Sequence, residues 1–356
     1  MSSFNLTQLL EKIVNMGASD LHVSVGLPPV VRINTTLSRL TEFGQFGISE
    51  VEFVLSQMLN QSQKDVFDVN KEIDFSVSLG EKARFRVNAF YQRGYPSIAL
   101  RIIPRKVPTL EELNMPHILN DLCELRQGLI LVTGPTGSGK STAIAGMVQK
   151  INETRAEHVM TIEDPIEYVF TNVNCLIEQR EMYLDTHSWE VALKSVLRQD
   201  PNVVVIGEMR DYDTMAAALT IAETGHLVFA SLHTNSAAQT VDRIIDSFPE
   251  EQQRQVRVQL SQIIEAILSL RLIQSPSKGV LPAVEILLAT AAVRSLIREG
   301  KPHQIDNVIN TSGNLGMVSL ERSIAELVST NMIDIEEAVK HTSKIDELRR
   351  YLRPKK

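Results

Sequence analysis

Apolar and polar residues alternate with a period of two in several short runs of the first hundred residues. Such alternation predicts strands with one buried face and one exposed face. The runs are "SDLHVSVG", "PPVVRINTTL", "EIDFSVSL", "ARFRVNAFYQ" and "SIALRIIP", and "QRGYP" supplies turn residues between the last two. An amphipathic segment that ends at Met16 and another near "SEVEFVLSQML" predict helices. The pattern therefore predicts an α+β unit with an antiparallel sheet and flanking helices.

The pattern breaks in "PRKVPTLEELNMP", which has three prolines in thirteen residues and little apolar periodicity. Proline removes a backbone donor and ends regular elements, so this stretch is typical of a linker or an inter-domain strap. We place the boundary near residue 110. The sequence predicts an N-terminal domain over residues 1–103, a linker over 104–116 and a second domain over 117–356.

Beyond the linker, short strands that are apolar along their whole length alternate with helices. The strands are "GLILVTG", "HVMTIED", "NVVVIGE" and "HLVFASLHT". Strands of this kind are buried on both faces, as parallel strands in an α/β core are. From Ser236 the pattern is chiefly helical, with a long helix in "PEEQQRQVRVQLSQIIEAILSLRL" and three short helices after Gly316. The second domain is therefore predicted as α/β with a helical C-terminal appendage.

Composition narrows the function classes. The 356 residues are 43% hydrophobic and 22% charged, as expected for two ordinary globular domains, and the formal net charge of −7 disfavours nucleic acid as a partner. No apolar run approaches the ~20 residues that a membrane-spanning helix needs, and the N-terminus lacks the features of a signal peptide. The two cysteines, Cys123 and Cys175, lack the spacing of a disulfide framework or a four-thiolate zinc site. We expect a soluble protein of a reducing cytoplasm.

The strongest chemical signal is "GPTGSGKST", which fits the phosphate-binding pattern GxxxxGK[ST] between an apolar strand and a helix. Glycines let backbone N–H groups turn inward to phosphate oxygens, and a helix N-terminus adds positive potential. Lys140 would reach the β- and γ-phosphates, and the Ser141 hydroxyl would ligate Mg²⁺. The expected cofactors are ATP and Mg²⁺. The predicted nucleotide-binding residues are Gly134, Pro135, Thr136, Gly137, Ser138, Gly139, Lys140, Ser141 and Thr142.

Acidic residues follow two of the apolar strands, at the end where ligands of open α/β sheets bind. Glu208 could hold Mg²⁺ through water or act as the general base, although Gly207 occupies the position of the usual aspartate of this strand. Glu163, in "TIEDPIE" with Asp164 and Glu167, could orient the attacking water. The sequence leaves open which of Glu163 and Glu208 is the base.

Histidines stand at both ends of the strand in "TGHLVFASLHT". Alone, His226 and His233 are interpreted as capping or packing groups, and their spacing defines no metal site. His233 lies at the C-terminal tip of the strand, on the side of the predicted phosphate loop. A neutral imidazole there could hydrogen-bond a γ-phosphate or a catalytic carboxylate.

The motifs "GPTGSGKST", "TIEDPIE", "LRQDPNVVVIGEMRD" and "TGHLVFASLHT" resemble the Walker A motif, Asp box, Walker B motif and His box of the secretion ATPases that drive type IV pili and type II secretion. The chain resembles that superfamily over nearly its whole length, and most closely its pilus retraction ATPases, the PilT group. Gly207 belongs to the Walker B pattern of this family. The stretch "AVRSLIREGK" resembles a signature linked to retraction, with departures at Val293 and Ser295. An accessory, PilU-like retraction ATPase stays open as an alternative, with a pilus-extension or type II secretion ATPase as a more distant one.

The resemblance implies a PAS-like N-terminal domain, a RecA-like ATPase domain and a homohexamer that hydrolyses ATP. The ring would turn a platform protein in the inner membrane to retract the pilus and drive twitching motility, with a second retraction ATPase as a possible partner. It would lie at the cytoplasmic face of the inner membrane and meet the membrane only indirectly. The resemblance also implies that arginines of the N-terminal domain reach the nucleotide. Arg86 and Arg101 are the candidates, because phosphoryl transfer leaves room for an arginine donor beside a lysine and Mg²⁺.

Two other classes of protein share the phosphate loop. A RecA-like nucleic-acid motor is disfavoured by the acidic balance and by the absence of an evident basic-aromatic stretch that would bind a strand. A nucleotide-binding scaffold that does not hydrolyse ATP is disfavoured because Glu163 and Glu208 are both present. A phosphate-release assay with and without single-stranded DNA separates the three classes.

Overall fold

The computed structural model describes residues 4–33, 36–80, 82–103 and 106–352. The chain forms two compact units: residues 1–106 with 167–169 make the first, and residues 107–166 with 170–356 make the second. Residues 104 and 105 of the predicted linker lie outside the described residues. Each unit is built around its own β-sheet.

The described residues of the first unit form a six-stranded sheet, called the first sheet, with helices packed on one face. Its elements are α1 (Leu6–Asn15), β1 (Asp20–Ser24), β2 (Val30–Ile33), β3 (Thr36–Arg39), α2 (Ile48–Met58), α3 (Gln61–Asn70), β4 (Glu72–Leu79), β5 (Ala83–Gln92) and β6 (Tyr95–Ile103). The strand order is β3-β2-β1-β6-β5-β4, and neighbouring strands are antiparallel. The predicted antiparallel sheet with flanking helices is confirmed. The sequence pattern does not predict α3, in which Phe67 is the buried residue.

Alternation along β5 divides the two faces of the first sheet. Phe85 is fully buried against the helices, whereas Arg84 and Arg86 point to the opposite face. The turn between β5 and β6 has Arg93 and Gly94 at φ 52° and 81°. Positive φ at both central residues is characteristic of a two-residue hairpin with a type I′ turn. The turn predicted in "QRGYP" is therefore confirmed.

The described residues of the second unit form a seven-stranded sheet, called the second sheet, with helices on both faces. Its strands are β7 (Gly128–Thr133), β8 (His158–Glu163), β9 (Leu176–Glu181), β10 (Val203–Ile206), β11 (Leu227–Leu232), β12 (Ile264–Ser275) and β13 (Gly279–Leu288). Its helices are α4 (Ile118–Cys123), α5 (Lys140–Thr154), α6 (Trp189–Val196), α7 (Tyr212–Glu223), α8 (Ala237–Asp246), α9 (Glu250–Ile263), α10 (Ala291–Arg298), α11 (Ile305–Thr311), α12 (Leu320–Ser329), α13 (Ile335–Lys340) and α14 (Ile345–Leu352). The strand order is β13-β12-β7-β11-β10-β8-β9, and the pairs are parallel except for β12 with β13.

The central strands of the second sheet are buried on both faces, as their apolar sequences predict. Every residue of β7, β10 and β11 is buried. Along β7, Leu131 packs into the core on one side of the sheet and Val132 into the core on the other. Across the described residues, none of the helices is both long enough and apolar enough to cross a bilayer. The predicted α/β core is confirmed.

One predicted element is wrong. The long helix predicted in "PEEQQRQVRVQLSQIIEAILSLRL" ends at Ile263, and the next residue begins β12. An apolar run of this kind is compatible with a buried helix or with a buried strand. Strand pairing explains why this segment is a strand: β12 hydrogen-bonds to β7 on one side and to β13 on the other. As a result, β7 lies inside the sheet and not at an exposed edge. The three short helices predicted after Gly316 are confirmed as α12, α13 and α14.

The segment that follows residue 106 belongs to the second unit and packs against its core. Leu110 is buried in the core beside α5. A Cβ atom at Gly146, inside α5, would lie 3.2 Å from side-chain carbons of both Leu110 and Leu113. Glycine inside a helix is unfavourable by about 1 kcal/mol relative to alanine. The close approach of this strap is the physical reason for a glycine at position 146.

Candidate nucleotide-hydrolysis site

The segment between β7 and α5 is a tight loop built on glycines. Gly134, Gly137 and Gly139 have φ values of 144°, 77° and 88°, which other residues rarely adopt. A Cβ atom at Gly134 would collide with Ser138 Oγ and lie 2.6 Å from the carbonyl oxygen of Leu270. The loop therefore curls on itself and against β12. Such a curl turns successive backbone N–H groups toward one point, which is the geometry of an anion-binding nest.

Lys140 is the first residue of α5, and its side chain folds back into the loop. The residue is buried, and Nζ donates to the carbonyl oxygens of Gly134 at 3.0 Å and Pro135 at 3.1 Å. Ser138 Oγ is buried and has no hydrogen-bond partner in the described part of the chain. A buried hydroxyl without a partner is unfavourable unless a ligand supplies one. The loop thus offers an ammonium, a hydroxyl and a helix N-terminus to phosphate oxygens.

The other predicted nucleotide-binding residues lie at the tip of the loop and in the first turn of α5. Pro135, Thr136 and Gly137 are exposed, and Ser141 and Thr142 are half-buried. Mg²⁺ is usually bound by one or two protein oxygens together with phosphate oxygens and water. The hydroxyl of Ser141 and a carboxylate from a neighbouring strand end are donors of that class, so the residues present fit this ion.

Strand register brings three further strand ends to the same edge of the second sheet. Thr133 of β7 pairs with Leu232 of β11. Ile206 of β10 pairs with Ile162 of β8. These strands are parallel, so the residues that follow them leave the sheet on the side of the phosphate loop. The predicted site residues at these ends are Glu163, Glu208 and His233.

Glu208, His233 and Lys140 form a chain of contacts across this edge. Glu208 Oε1 lies 3.1 Å from His233 Nε2, and His233 Nδ1 lies 3.5 Å from Lys140 Nζ. A lysine ammonium has no lone pair, so Nδ1 is the acceptor and Nε2 carries the proton that is donated to Glu208. The imidazole thereby connects the carboxylate after β10 to the lysine of the phosphate loop.

Arg210 is a site residue that the sequence analysis does not single out. Its Nε donates to Glu208 Oε2 at 2.8 Å, and its Nη1 lies 3.7 Å from Asp164 Oδ2. The hydrogen bond with Glu208 is the main cause that raises the pKa of Arg210 above its ordinary value, and the charges of Glu208 and Asp164 add to it. The guanidinium therefore joins the ends of β8 and β10. The signal that could have identified it is "GEMRD", which places an arginine two residues after the glutamate.

Glu163 has neutral hydrogen-bond donors beside it. Thr161 Oγ1 and Gln179 Nε2 donate to its Oε1 at 2.7 and 3.1 Å. Gly207 lies directly against this strand: its N–H donates to the Ile162 carbonyl oxygen at 2.8 Å, and a Cβ atom would lie 3.2 Å from Glu163 Cα. A side chain at position 207 would have to push β8 away. This contact is the physical reason why the usual aspartate is absent.

Two residues near the predicted motifs lie elsewhere. His226 stands at the opposite end of β11, where its Nδ1 contacts the Ile221 carbonyl oxygen and Thr224 Oγ1, each at 3.0 Å. It caps the end of α7. Glu167 belongs to the first unit with residues 168 and 169, whereas Glu163 belongs to the second.

Arg86 and Arg101 lie opposite each other on neighbouring strands of the first sheet. The same register continues through Asp20 of β1 to Arg32 of β2. We call Arg86, Arg101, Asp20 and Arg32 the arginine row. Arg101 Nε donates to Asp20 Oδ1 at 3.0 Å, and Arg32 Nε lies 3.6 Å from Asp20 Oδ2. Burial opposes ionisation of Asp20, but hydrogen bonds from Ser19 and Arg101 and the two arginine charges lower the pKa of Asp20 below its ordinary value.

The chain matches known proteins over both units. The family model described as "Type II/IV secretion system protein" matches residues 3–353. The chain is 43% identical to the type IV pilus retraction ATPase PilT of Pseudomonas aeruginosa over 96% of this chain and 99% of that protein. It is 40% identical to the type IV pilus ATPase PilU of the same organism over 96% of this chain and 90% of that protein. The crystal structure of the pilus retraction motor PilT with bound ADP is 40% identical and matches with a TM-score of 0.91, covering 98% of this chain and 100% of that one.

Proposed function

The chain belongs to the type II/IV secretion system protein family, and on that premise we propose that it is the motor that powers retraction of type IV pili. It is an ATP hydrolase of the P-loop type. The observation that carries the proposal is the contact chain from Lys140 through His233 to Glu208, in a protein that matches a retraction ATPase over 96% of its length.

The phosphate loop would bind the triphosphate through its backbone N–H groups, the Ser138 hydroxyl and the Lys140 ammonium. To do so, Lys140 exchanges its hydrogen bonds to the carbonyl oxygens of Gly134 and Pro135 for phosphate oxygens. The ammonium then neutralises charge on the β- and γ-phosphates in the ground state and in the transition state. Ser141 would hold Mg²⁺ directly and Glu208 through water. The ion supplies further neutralisation of phosphate charge when it is bound.

Glu208 would accept the proton of the attacking water. Its two oxygens are fixed in place by the Nε2–H of His233 and the guanidinium of Arg210. A carboxylate held in this way is oriented to accept a proton. Glu163, oriented by Thr161 and Gln179, would position the water. The assignment of these two roles is the part of the mechanism that mutagenesis has to decide.

Arginines of the first unit would add positive charge at the γ-phosphate. Arg86 and Arg101 stand side by side, and 71% of the Arg101 side-chain surface is exposed. Guanidinium groups donate to phosphate oxygens in a fixed fork, so two neighbouring arginines suit a group that carries several oxygens. Asp20 would hold the Arg101 fork in orientation, since it accepts from Nε and leaves the outer nitrogens available.

The proposed working form is a homohexamer at the cytoplasmic face of the inner membrane. It would act on a platform protein of the pilus machine, and its contact with the membrane would be indirect. We propose no role for nucleic acid, in keeping with the net charge of −7. An accessory retraction ATPase is the second candidate, favoured by the 40% identity to PilU, and a second retraction ATPase would then be a partner.

Deletion of the gene in its host tests the proposed function. We expect surface pili that assemble and fail to retract, with loss of twitching. A strain without surface pili would contradict retraction and favour a role in extension. A strain whose pili still retract would favour the accessory role. In vitro, the protein with an ATP analogue and Mg²⁺ should sediment near six times its chain mass of 39.8 kDa, and phosphate release should not depend on single-stranded DNA.

A further inference from the structure

Glu285 is a buried carboxylic acid outside the hydrolysis site. It lies on β13 with 5% of its surface exposed. Its Oε1 accepts two hydrogen bonds, from the backbone N–H of Ala237 at 2.7 Å and from the Ser269 hydroxyl at 3.2 Å. A buried polar group is tolerated only where it is hydrogen-bonded. These two partners lead to two different parts of the site.

The Ser269 partner leads to the phosphate loop. Ser269 pairs with Thr133 of β7 on one side and with Glu285 of β13 on the other. Thr133 Oγ1 donates to Ser269 Oγ at 3.1 Å, and Thr133 is the residue immediately before Gly134. The side chains of Thr133 and Ser269 are buried, as Glu285 is. A line of hydrogen bonds therefore crosses three strands, from the start of the loop to Glu285.

The Ala237 partner leads to His233. Ala237 is the first residue of α8, and residues 234–236 separate it from His233. We call residues 233–236 the His233 loop. A second tie joins this loop to β12, because Arg271 Nη2 donates to Asn235 Oδ1 at 2.8 Å. The helical end of the His233 loop is thus held by the hairpin of β12 and β13.

We propose that Glu285 is a positioning residue for ATP hydrolysis: it fixes the start of α8, and through α8 the His233 loop, relative to the phosphate loop. His233 contacts both Glu208 and Lys140, so a shift of the loop changes both contacts at once. The link to hydrolysis rests on the proposed function, whereas the structural tie stands independently of it.

The surroundings of Glu285 suit a hydrogen-bond acceptor. Burial raises the pKa of Glu285 to about 7, and the charge of Asp306 on α11 acts in the same direction. The hydrogen bonds from Ala237 and Ser269 and the charge of Lys344 act in the opposite direction. Whether Glu285 is protonated on its other oxygen or ionised, Oε1 keeps the lone pairs that accept both bonds.

Substitutions in the full-length chain test the proposal. Glu285→Met keeps the length of the side chain without an acceptor, and Glu285→Gln keeps a carbonyl oxygen. We expect Glu285→Met to lower kcat by about 10-fold or more, with KM for ATP within about 3-fold of wild type. For Glu285→Gln we expect both kcat and KM to stay within about 3-fold of wild type. The matched control is Glu321→Met, because Glu321 is also buried but accepts from Thr342 among the C-terminal helices. Wild-type kcat in Glu285→Met, or an equal loss in Glu321→Met, would overturn the proposal.

Combination with His233→Ala tests the route of the effect. If Glu285 acts through His233, Glu285→Met lowers kcat by less than about 2-fold in the His233→Ala background. A loss of the same factor in both backgrounds would overturn the proposal, because a general loss of packing acts independently of His233.

Hydrogen exchange of the nucleotide-free protein tests the structural tie without turnover. We expect faster exchange in peptides covering residues 233–241 for Glu285→Met than for Glu321→Met, and unchanged exchange there overturns the proposal. If Glu285→Met does not fold, Ser269→Ala removes the tie between the phosphate loop and Glu285 and carries the kinetic tests, with an expected loss in kcat of about 5-fold. A wild-type protein that hydrolyses no ATP would refute the proposed function, and the exchange result would still decide the role of Glu285.

Discussion

The two sheets of this chain carry their chemistry in different places. In the second sheet the central strands are parallel and buried on both faces, so the polar residues of the site follow the strand ends. In the first sheet the strands are antiparallel and helices cover one face, so the arginine row lies in the middle of strands on the other face. Charged side chains are rarely buried inside a strand whose two faces are covered, so the central strands carry their charged site residues at their ends.

The two regions should respond differently to substitution. Residues at the strand ends contact one another in a chain from Lys140 to Arg210, so loss of one member changes the surroundings of the next. Residues of the arginine row lie on strands whose pairing does not depend on them, so each can be replaced while the sheet keeps its pairing. Contacts within the row join Asp20 to Arg101 and Arg32. We expect large and coupled effects in the second sheet, and smaller effects in the first, where coupling is confined to Asp20 and its two arginines.

Lys140→Ala should give the largest effect. The ammonium neutralises β- and γ-phosphate charge, so we expect ATP hydrolysis to fall by about 10³-fold or more. Phosphate release by the purified protein measures it. Turnover at the wild-type rate would refute the assignment of the phosphate loop.

Glu208→Gln separates binding from chemistry at the strand ends. The amide keeps the shape of the side chain but accepts a proton poorly, so we expect ATP binding to persist while hydrolysis falls by about 10²-fold. Glu163→Gln is the matched variant on the neighbouring strand. If Glu163→Gln loses more activity than Glu208→Gln, the two roles are exchanged.

Arg101→Ala and Arg86→Ala test the face of the first sheet. Each substitution should lower turnover by about 10-fold while the fold is retained. A loss of about 10-fold is smaller than the usual contribution of an arginine that contacts the γ-phosphate. Arg84 supplies the control: it lies on the same face, and its Nη2 donates to Ser76 Oγ at 2.7 Å. Wild-type rates in both Arg86→Ala and Arg101→Ala would exclude the first unit from the chemistry. If Arg84→Ala lowers turnover equally, the effect comes from the overall positive charge on this face of the first sheet and not from the particular positions of Arg86 and Arg101.

Asp20→Asn should give the smallest effect. The pKa of Asp20 is lowered in the folded chain, so its stabilising contribution is present above the ordinary aspartate pKa and is lost as pH falls through the folded value. At neutral pH we expect the substitution to lower the free energy of unfolding by about 1 kcal/mol or less, since Arg101 is largely exposed. Denaturation at pH 7 and at pH 3 measures it. A loss that is larger at pH 3 would contradict the ion-pair explanation.

The apolar pattern predicts the strands of the first sheet more completely than those of the second, because strands with one exposed face alternate and strands with two buried faces do not. Alternation has a period that distinguishes strands from helices, and the runs "EIDFSVSL" and "ARFRVNAFYQ" coincide with β4 and β5. The mostly apolar stretch that forms β12 shows no clear period of two, so the same reasoning assigns its residues to a helix. The pairing of β12 with β7 involves residues more than a hundred positions apart, and no local pattern contains it.

The candidate site shows the same division. The phosphate loop, Glu163, Glu208 and His233 can be located from motifs, because each follows an apolar strand directly. Their mutual contacts cannot, since Arg210 reaches Asp164 and Gln179 reaches Glu163 only when the strands are assembled. Glu285 gives no sequence signal at all, because its two partners lie 16 and 48 positions away.

The glycine at residue 207 ties the separation of β8 and β10 to the size of a single side chain. The strands that carry Glu163 and Glu208 lie so close there that a single methyl group would meet the neighbouring main chain. An aspartate at this position would therefore require β8 to yield by a few tenths of an ångström. The spacing of the two glutamates thus depends on a glycine at residue 207. The side chain of Arg210 is 56% exposed, so a substitution there disturbs the packing of the strands less than one at this contact.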